Sequence, residues 1–154
     1  MPTHAEKRKL PFTPEQMFDL VADVEQYPQF LPWCVATRIK SRFEDGRANG
    51  VIADMVIGYK MFRERFTSVA RFDRAAMRID VEYREGPFKF LNNHWVFEAN
   101  GKNGCAIDFY VDFEFRSQLL EKAITVVFNQ AVQRMVSAFE KRAQALYGAE
   151  KSAR

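Results

Sequence analysis

The sequence predicts an α+β domain in which a curved antiparallel sheet of about seven strands wraps around one long C-terminal helix. Two short helices are expected after the first strand. Three observations predict this fold. Side chains alternate between apolar and polar from Trp33 onward, as in half-buried strands. Turn pairs such as Asp45-Gly46 and Asn49-Gly50 interrupt the alternation at hairpin spacing. Apolar residues then recur with a helical period from Ser117 to Tyr147.

The length and composition indicate one globular domain, expected over residues 1–147, followed by a disordered polar tail over 148–154. Hydrophobic residues make up 47% of the chain and charged residues 28%, which excludes a disordered protein. The 15 phenylalanines are a high number for 154 residues and indicate a wide apolar interior. The net charge of +3 is too small to predict a nucleic-acid partner, so no DNA binding is expected.

The chain shows neither a secretory signal nor a run of about 20 apolar residues that could span a bilayer, which predicts a cytoplasmic protein. Its cysteines, Cys34 and Cys105, are far apart and have no CxxC spacing. Such cysteines favour neither a zinc site nor a disulfide, so buried free thiols are expected and no metal is.

Helix signals lie between the first two predicted strands. Thr13, Pro14 and Gln16 form a capping-box pattern that predicts a helix from Pro14 to about Ala22. Asp23 with Gln26 repeats the pattern and predicts a second, shorter helix. The segment that follows is bent by two prolines and is expected to press its apolar side chains onto the sheet. These side chains are Tyr27, Phe30, Leu31 and Trp33.

Alternation and turn signals place the strands. They are expected at about 3–10, 33–44, 49–58, 60–73, 76–84, 91–100 and 104–116. The long helix is expected to begin after Ser117 as N-cap and to end at Gly148. At 1.5 Å per residue it would be about 46 Å long, enough to cross the whole sheet. The concave face of the sheet and the helix together offer bulky apolar side chains, which either pack as an ordinary core or line a cavity.

Signals for catalysis are weak. Neither His4 nor His94 has a nucleophile or metal-ligand spacing around it, and both are expected to be exposed or locally hydrogen-bonded. Strict alternation places Glu64 among inward side chains, where a salt bridge or a position near solvent is the alternative to a chemical role. Asn93 could face inward and offer its amide to a ligand, or bond to the backbone.

Three stretches, "DVEQYPQFLPWC", "ADMVIGYKMFRERFTS" and "GPFKFLNNHWVFE", together with the long closing helix, resemble the coenzyme Q-binding branch of the START-like, polyketide cyclase/dehydrase superfamily. The resemblance covers about Thr3 to Leu146. It implies a helix-grip fold with an apolar tunnel that binds ubiquinone or a related polyprenyl lipid and supports respiration or quinone delivery. It also implies a non-enzymatic protein without a required cofactor, cytoplasmic or peripheral to the inner membrane.

The ligand-binding residues expected on this basis are apolar or aromatic and lie on every part of the fold. They are Tyr27, Phe30, Leu31, Trp33, Met55, Phe62, Phe66, Phe88, Trp95, Phe109, Phe113, Phe128, Val132, Met135 and Phe139. In the loop "EGPFKF", Phe88 and Phe90 beside Lys89 would lie at an opening and touch a membrane transiently.

Two alternatives stay open. Bacterial members of the branch include ribosome association toxins, which bind the large ribosomal subunit. A basic sheet face would serve that role, although a mixed solvated surface is favoured; its residues are Arg38, Lys40, Arg42, Arg63, Arg65 and Arg71. An aromatase or cyclase is the weaker alternative, because only Glu64 and Tyr83 favour it.

Overall fold

The computed structural model describes residues 3–46, 48–59 and 62–152, with the side chains of 45, 59, 62, 127, 129 and 149–152 left out. The strands are β1 (Thr3–Leu10), β2 (Cys34–Asp45), β3 (Ala48–Tyr59), β4 (Phe62–Asp73), β5 (Arg78–Glu85), β6 (Phe88–Ala99) and β7 (Cys105–Phe115). The helices are α1 (Pro14–Ala22), a 3₁₀ helix (Val24–Gln29) and α2 (Gln118–Ser152). The predicted α+β helix-grip fold is confirmed.

The strands form one antiparallel sheet in the order β1-β7-β6-β5-β4-β3-β2. Consecutive strands from β2 to β7 are hairpin neighbours, whereas β1 pairs with β7, from Thr3 opposite Asp112 to Leu10 opposite Cys105. The sheet is therefore open, with β1 and β2 as its two edges. Register shifts occur in the pairings β2–β3, β4–β5 and β6–β7. Such bulges increase the local twist, which curves the sheet around α2.

The capping box predicted for α1 is present. The Thr13 side chain accepts a hydrogen bond from the Gln16 amide at 3.1 Å, and the Gln16 side chain accepts one from the Thr13 amide at 3.0 Å. The second predicted helix is a 3₁₀ helix, which tolerates Pro28 inside a short turn. Its Tyr27 hydroxyl donates to the Val21 carbonyl, so the two helices form one unit.

The long helix α2 begins as predicted, because the Ser117 hydroxyl accepts from the Leu120 amide at 3.3 Å. Arg8 of β1 holds the middle of α2 on the sheet. Its guanidinium lies 2.7 Å from Glu6, 3.8 Å from Glu140 and 3.5 Å from the Ser137 hydroxyl. This polar group fixes α2 along the β1 edge.

The end predicted for α2 at Gly148 was wrong, because the helix continues to Ser152. The predicted disordered tail is thus helical over 148–152, and residues 153 and 154 lie outside the described residues. A glycine inside a helix costs only about 1 kcal/mol relative to alanine. Gly148 is buried, and the Gln144 side chain occupies the space where a Cβ would lie. Local packing therefore outweighs the stop signal.

The loop expected around Phe88 is in fact the start of β6. Phe88 is only 3% exposed and stacks on Phe115, with ring centroids 4.6 Å apart. Lys89 forms an ion pair with Glu114 at 3.2 Å, and Phe90 is half-buried. For Phe88 the predicted position at a membrane-facing opening was therefore wrong, whereas for the half-buried Phe90 it stays a prediction.

Candidate ligand-binding site

An internal cavity of about 250 Å³, the outer cavity, lies between the sheet and the first half of α2. Its walls come from the turn before β2, from β3, β4, β6 and β7, and from α2. The lining residues are Leu31, Pro32, Trp33, Cys34, Met55, Ile57, Gly58, Glu64, Phe66, Phe88, Leu91, Val111, Phe113, Phe115, Leu120, Ile124, Phe128, Ala131, Val132 and Met135. Glu64 is the one charged residue in this set. Among the described residues, the lining of the outer cavity is therefore apolar with one carboxylate.

A second cavity of about 180 Å³, the inner cavity, lies deeper, under α1 and the 3₁₀ helix. Tyr27, Trp95, Phe109 and Phe139 are among its large lining residues. Its polar lining residues include Asn93, whose side-chain amide already has hydrogen-bond partners within the protein. That side chain donates to the Tyr110 carbonyl at 2.8 Å and accepts from the Trp95 indole at 3.2 Å. The backbone-bonding alternative for Asn93 is thus confirmed.

The two cavities adjoin each other. They share the lining residues Leu31, Met55, Phe66, Leu91, Val111 and Met135. Two adjoining cavities therefore take the place of the single continuous tunnel that was predicted. Two of these shared residues, Met55 and Met135, are methionines, the apolar side chain that changes shape most readily.

Aromatic pairs form much of the walls. Phe66 meets Phe88 edge-on with centroids 5.3 Å apart, and Phe113 meets Phe128 at 5.2 Å. Rings that pack edge-to-face hold each other in fixed orientations, each pair contributing about 0.5–1.5 kcal/mol beyond its buried area. All four of these rings line the outer cavity, so its walls are largely aromatic.

Trp33 reaches the outer cavity through an unusual backbone conformation. Its φ of 66° lies in the left-handed region, which is uncommon for a bulky residue. Its carbonyl accepts from the Gly58 amide at 2.8 Å, tying the turn before β2 to the end of β3. This turn forms one end wall of the outer cavity.

Most of the predicted ligand-binding residues line one of the two cavities, although ligand binding by them stays a prediction. The lining ones are Tyr27, Leu31, Trp33, Met55, Phe66, Phe88, Trp95, Phe109, Phe113, Phe128, Val132, Met135 and Phe139. Phe30 instead packs against Phe139 from outside, with centroids 5.2 Å apart, and lies under the Arg142 guanidinium. The side chain of Phe62 lies outside the described residues.

Sequence reasoning missed several lining residues, among them Cys34, Ile57, Gly58 and Ser68. Ser68 follows Phe66 by two in β4, so strict alternation could have found it. Cys34 lies at the start of β2, and Ile57 and Gly58 lie near the end of β3. Alternation does not indicate which residues at the ends of strands line a cavity.

Glu64 faces the outer cavity, as alternation predicted, and lies opposite Ile57 of β3. Its side chain is half-buried and has no hydrogen bond or ion pair to another residue in the described part of the chain. Tyr83, the other residue that favoured a cyclase, lines neither cavity, and its hydroxyl accepts from the Phe88 amide at 3.2 Å. The two residues are therefore not combined at one site.

Both cysteines are buried free thiols, as predicted. Burial raises the pKa of Cys34 to about 11 and that of Cys105 to about 11. Neither thiol is therefore activated as a nucleophile. Only Cys34 lines the outer cavity.

The histidines have local partners. His4 lies 2.9 Å from Glu6, and His94 stacks on Tyr110 at 5.2 Å. In residues 3–46, 48–59 and 62–152 no cluster of three or more His, Cys, Asp or Glu side chains is arranged to hold a metal ion. Within the same ranges, no helix has the length and apolar character needed to cross a membrane.

Comparison with known proteins identifies the fold's relatives. The family described as "Polyketide cyclase / dehydrase and lipid transport" matches residues 10–140. The ribosome association toxin RatA of Rickettsia prowazekii is 38% identical over 138 residues, covering 88% of this chain and 91% of the toxin. The mitochondrial coenzyme Q-binding protein COQ10 homolog B of Xenopus laevis is 34% identical over 154 residues, covering 94% of this chain but 59% of that protein.

A solved structure agrees with the sequence relatives. The solution structure of the 18 kDa protein CC1736 from Caulobacter crescentus is 38% identical and superposes with a TM-score of 0.79. The match covers 96% of this chain and 99% of that one. With the family match over residues 10–140, these similarities confirm the superfamily that the three sequence stretches indicated. The chain belongs to the polyketide cyclase/dehydrase and lipid transport family.

Proposed function

We propose that the protein binds a hydrophobic isoprenoid lipid, with ubiquinone as the leading candidate, and carries it without transforming it. The observation that carries this proposal is the outer cavity, whose described lining residues are apolar or small apart from Glu64. Apolar cavities with few polar groups are the usual form of a lipid or cofactor site. The role would be support of respiratory electron transport or quinone delivery.

The cavity volumes limit how the ligand would sit. Sites for drug-sized ligands usually have volumes of about 300–1,000 Å³. The outer cavity alone, at about 250 Å³, is slightly smaller. A head group and the first part of a prenyl chain would use the outer cavity, and more of the chain would need the inner cavity after Met55 and Met135 rotate. Each methylene buried adds about 0.8 kcal/mol, so even a partly buried chain would bind well.

The relative named as a coenzyme Q-binding protein supports the choice of ligand. The geometry favours carriage over the cyclase alternative, because Glu64 lines the outer cavity whereas Tyr83 lines neither cavity. No cofactor is required in this proposal, and the lipid is the ligand itself.

Mass spectrometry of lipid extracted from the purified protein tests the proposal most directly, because it identifies the ligand without a prior choice. Delipidated protein should then show a rise in melting temperature with added ubiquinone, since a ligand that binds only the folded state stabilises it. The proposal fails if no prenyl lipid is retained and no quinone-dependent shift occurs.

A ribosome-binding role is the second candidate, because the relative with 38% identity is named a ribosome association toxin. The basic sheet face favours it only weakly. Arg42 is paired with Glu25 at 2.6 Å, and Arg71 with Glu82 at 3.1 Å, so part of its charge is neutralised. Co-sedimentation with the large ribosomal subunit at increasing salt would separate the two roles, because phosphate contacts weaken steeply with salt.

A further inference from the structure

We infer that the outer face of α2 is a docking surface for a lipid bilayer that carries anionic head groups. This outer face consists of residues spaced by three, four or seven that point away from the sheet. They are Leu119, Lys122, Val126, Gln130, Gln133, Arg134 and Lys141. The inference concerns how the protein meets a membrane and does not depend on which lipid the cavities hold.

The outer face carries two aliphatic side chains that are exposed to solvent. Leu119 is 68% exposed and Val126 is 85% exposed, although both are aliphatic side chains on a long, ordered helix. They lie seven residues apart, so they point in the same direction two turns from each other. Aliphatic side chains held out from one helix face are suited to insertion at the acyl boundary of a bilayer.

The charged part of the outer face is purely basic. Arg134 and Lys141 have no ion pair or hydrogen bond to other residues within the described ranges. The nearest acid on the helix, Glu140, is turned toward Arg8. The surface groove beside this face is lined by Arg134, Lys141 and Arg142 as its only charged residues among those described. Free cations next to exposed aliphatics complement anionic lipid, whereas exposed aliphatics do not complement RNA.

The position of this face relative to the outer cavity fits a protein that exchanges a ligand with a membrane. Leu120 and Ile124 line the outer cavity, and they lie on the same helical turns as Leu119 and Val126. A bilayer bound to the outer face would thus be separated from the cavity by the width of one helix, about 10 Å. Phe88, in contrast, is buried and is not available for membrane contact.

Vesicle flotation with the delipidated 154-residue chain tests the inference without any quinone. One set of vesicles is phosphatidylcholine alone, and the other carries about 30 mol% phosphatidylglycerol. Wild type should float with the anionic vesicles and much less with the neutral ones. Raising salt from about 0.1 M to about 1 M should reduce flotation, because the Debye length falls from ~10 Å to ~3 Å.

Two variants and a matched control assign the binding to the outer face. The Arg134→Gln/Lys141→Gln variant should bind anionic vesicles about 25-fold more weakly, at roughly fivefold per cation. Leu119→Ser/Val126→Ser should lose binding to a similar extent, through its apolar contacts. The control Arg38→Gln/Lys40→Gln removes the same charge from exposed positions on β2 and should bind like wild type.

A site-specific probe checks the orientation. An environment-sensitive fluorophore on Val126→Cys should shift to the blue with anionic vesicles, and the same label on Ala99→Cys, at the far end of β6, should not. The native thiols are buried, so they react with label much more slowly than an exposed cysteine. The inference is overturned if wild type floats equally with neutral and anionic vesicles, or if the control loses as much vesicle binding as the α2 variants. It is overturned as well if the emission of the fluorophore on Val126→Cys does not shift. It is also overturned if those variants lose ribosome binding instead of vesicle binding, which would assign this face to RNA or protein.

Discussion

Replacing Val132 by tryptophan separates a ligand cavity from a packed core at one position of α2. Val132 is 6% exposed and lines the outer cavity. Val136, one turn later, is 3% exposed but lines neither cavity, so it lies in the packed core. The same substitution at both positions therefore adds the same side chain to empty space in one case and to filled space in the other.

The magnitudes follow from the cavity and from the cost of overpacking. About 250 Å³ of space corresponds to roughly eight water molecules at ~30 Å³ each, enough to receive much of an indole ring. In Val132→Trp the ring would displace about three or four ligand carbons. At about 0.8 kcal/mol each, the loss of about 3 kcal/mol weakens binding roughly 100-fold. In Val136→Trp, strain should cost roughly 1–3 kcal/mol of folding free energy.

The assay measures unfolding midpoints of delipidated protein together with retention of ubiquinone. Val132→Trp should unfold near the wild-type midpoint and lose most quinone retention. Val136→Trp should unfold roughly 2–12 °C lower, at about 2–4 °C per kcal/mol for a domain of this size, and retain quinone while folded. Equal losses of stability in the two delipidated variants would refute an open cavity at Val132. Unchanged quinone binding by a stable Val132→Trp would refute ligand occupancy there.

Three further predictions concern the thiols and the turns. Ubiquinone should slow the alkylation of Cys34, which lines the outer cavity, and leave that of Cys105 unchanged; equal protection of both would indicate general stabilisation only. Burial raises the pKa of both thiols from 9.0 to about 11, so the folded state favours their protonated forms. The contribution of the two thiols to the free energy of unfolding should be complete below about pH 9 and lost as the pH rises through about 11. Urea unfolding midpoints measured across this pH range would detect the loss. A double Cys→Ala variant with the same pH profile as wild type would contradict the prediction. Gly86→Ala should cost roughly 1–3 kcal/mol, because φ is 143° and a Cβ would lie 2.6 Å from that of Phe66. The control Gly101→Ala, where nothing lies within 4 Å, should cost less in the same denaturant titration.

Most of the fold could be predicted from the sequence because alternation, turn residues and helix caps indicate the same strands and helices. Alternation placed the seven strands to within a few residues, and the caps at Thr13 and Ser117 set the starts of both α-helices. Alternation also directed Glu64 inward. Each of these features depends on neighbours within a few residues, which a sequence displays directly.

The candidate site was less predictable because it depends on distant contacts. A register shift between Phe88 and Phe90 brings Phe88 into the core, and no local pattern predicts such a bulge. Phe30 follows the 3₁₀ helix with φ of −142°, and this turn directs it to the outside of Phe139. The two cavities share lining residues from β3, β4, β6, β7 and α2, so their outline depends on segments that are distant in sequence. The volume left between packed strands and helices is set only when the whole fold is assembled, so it cannot be predicted from local sequence patterns.

The open sheet has a mechanical consequence. A closed barrel has a circumference set by its strand number and stagger, so its interior cannot widen unless ladder hydrogen bonds break. In this sheet the edges β1 and β2 are not paired with each other, and the short helices and α2 bridge the space between them. The strand pairing therefore does not fix the girth of the space between sheet and helix, as it does in a closed barrel. A wider interior would need the two edges to move apart and side chains to repack, while every strand keeps its partners.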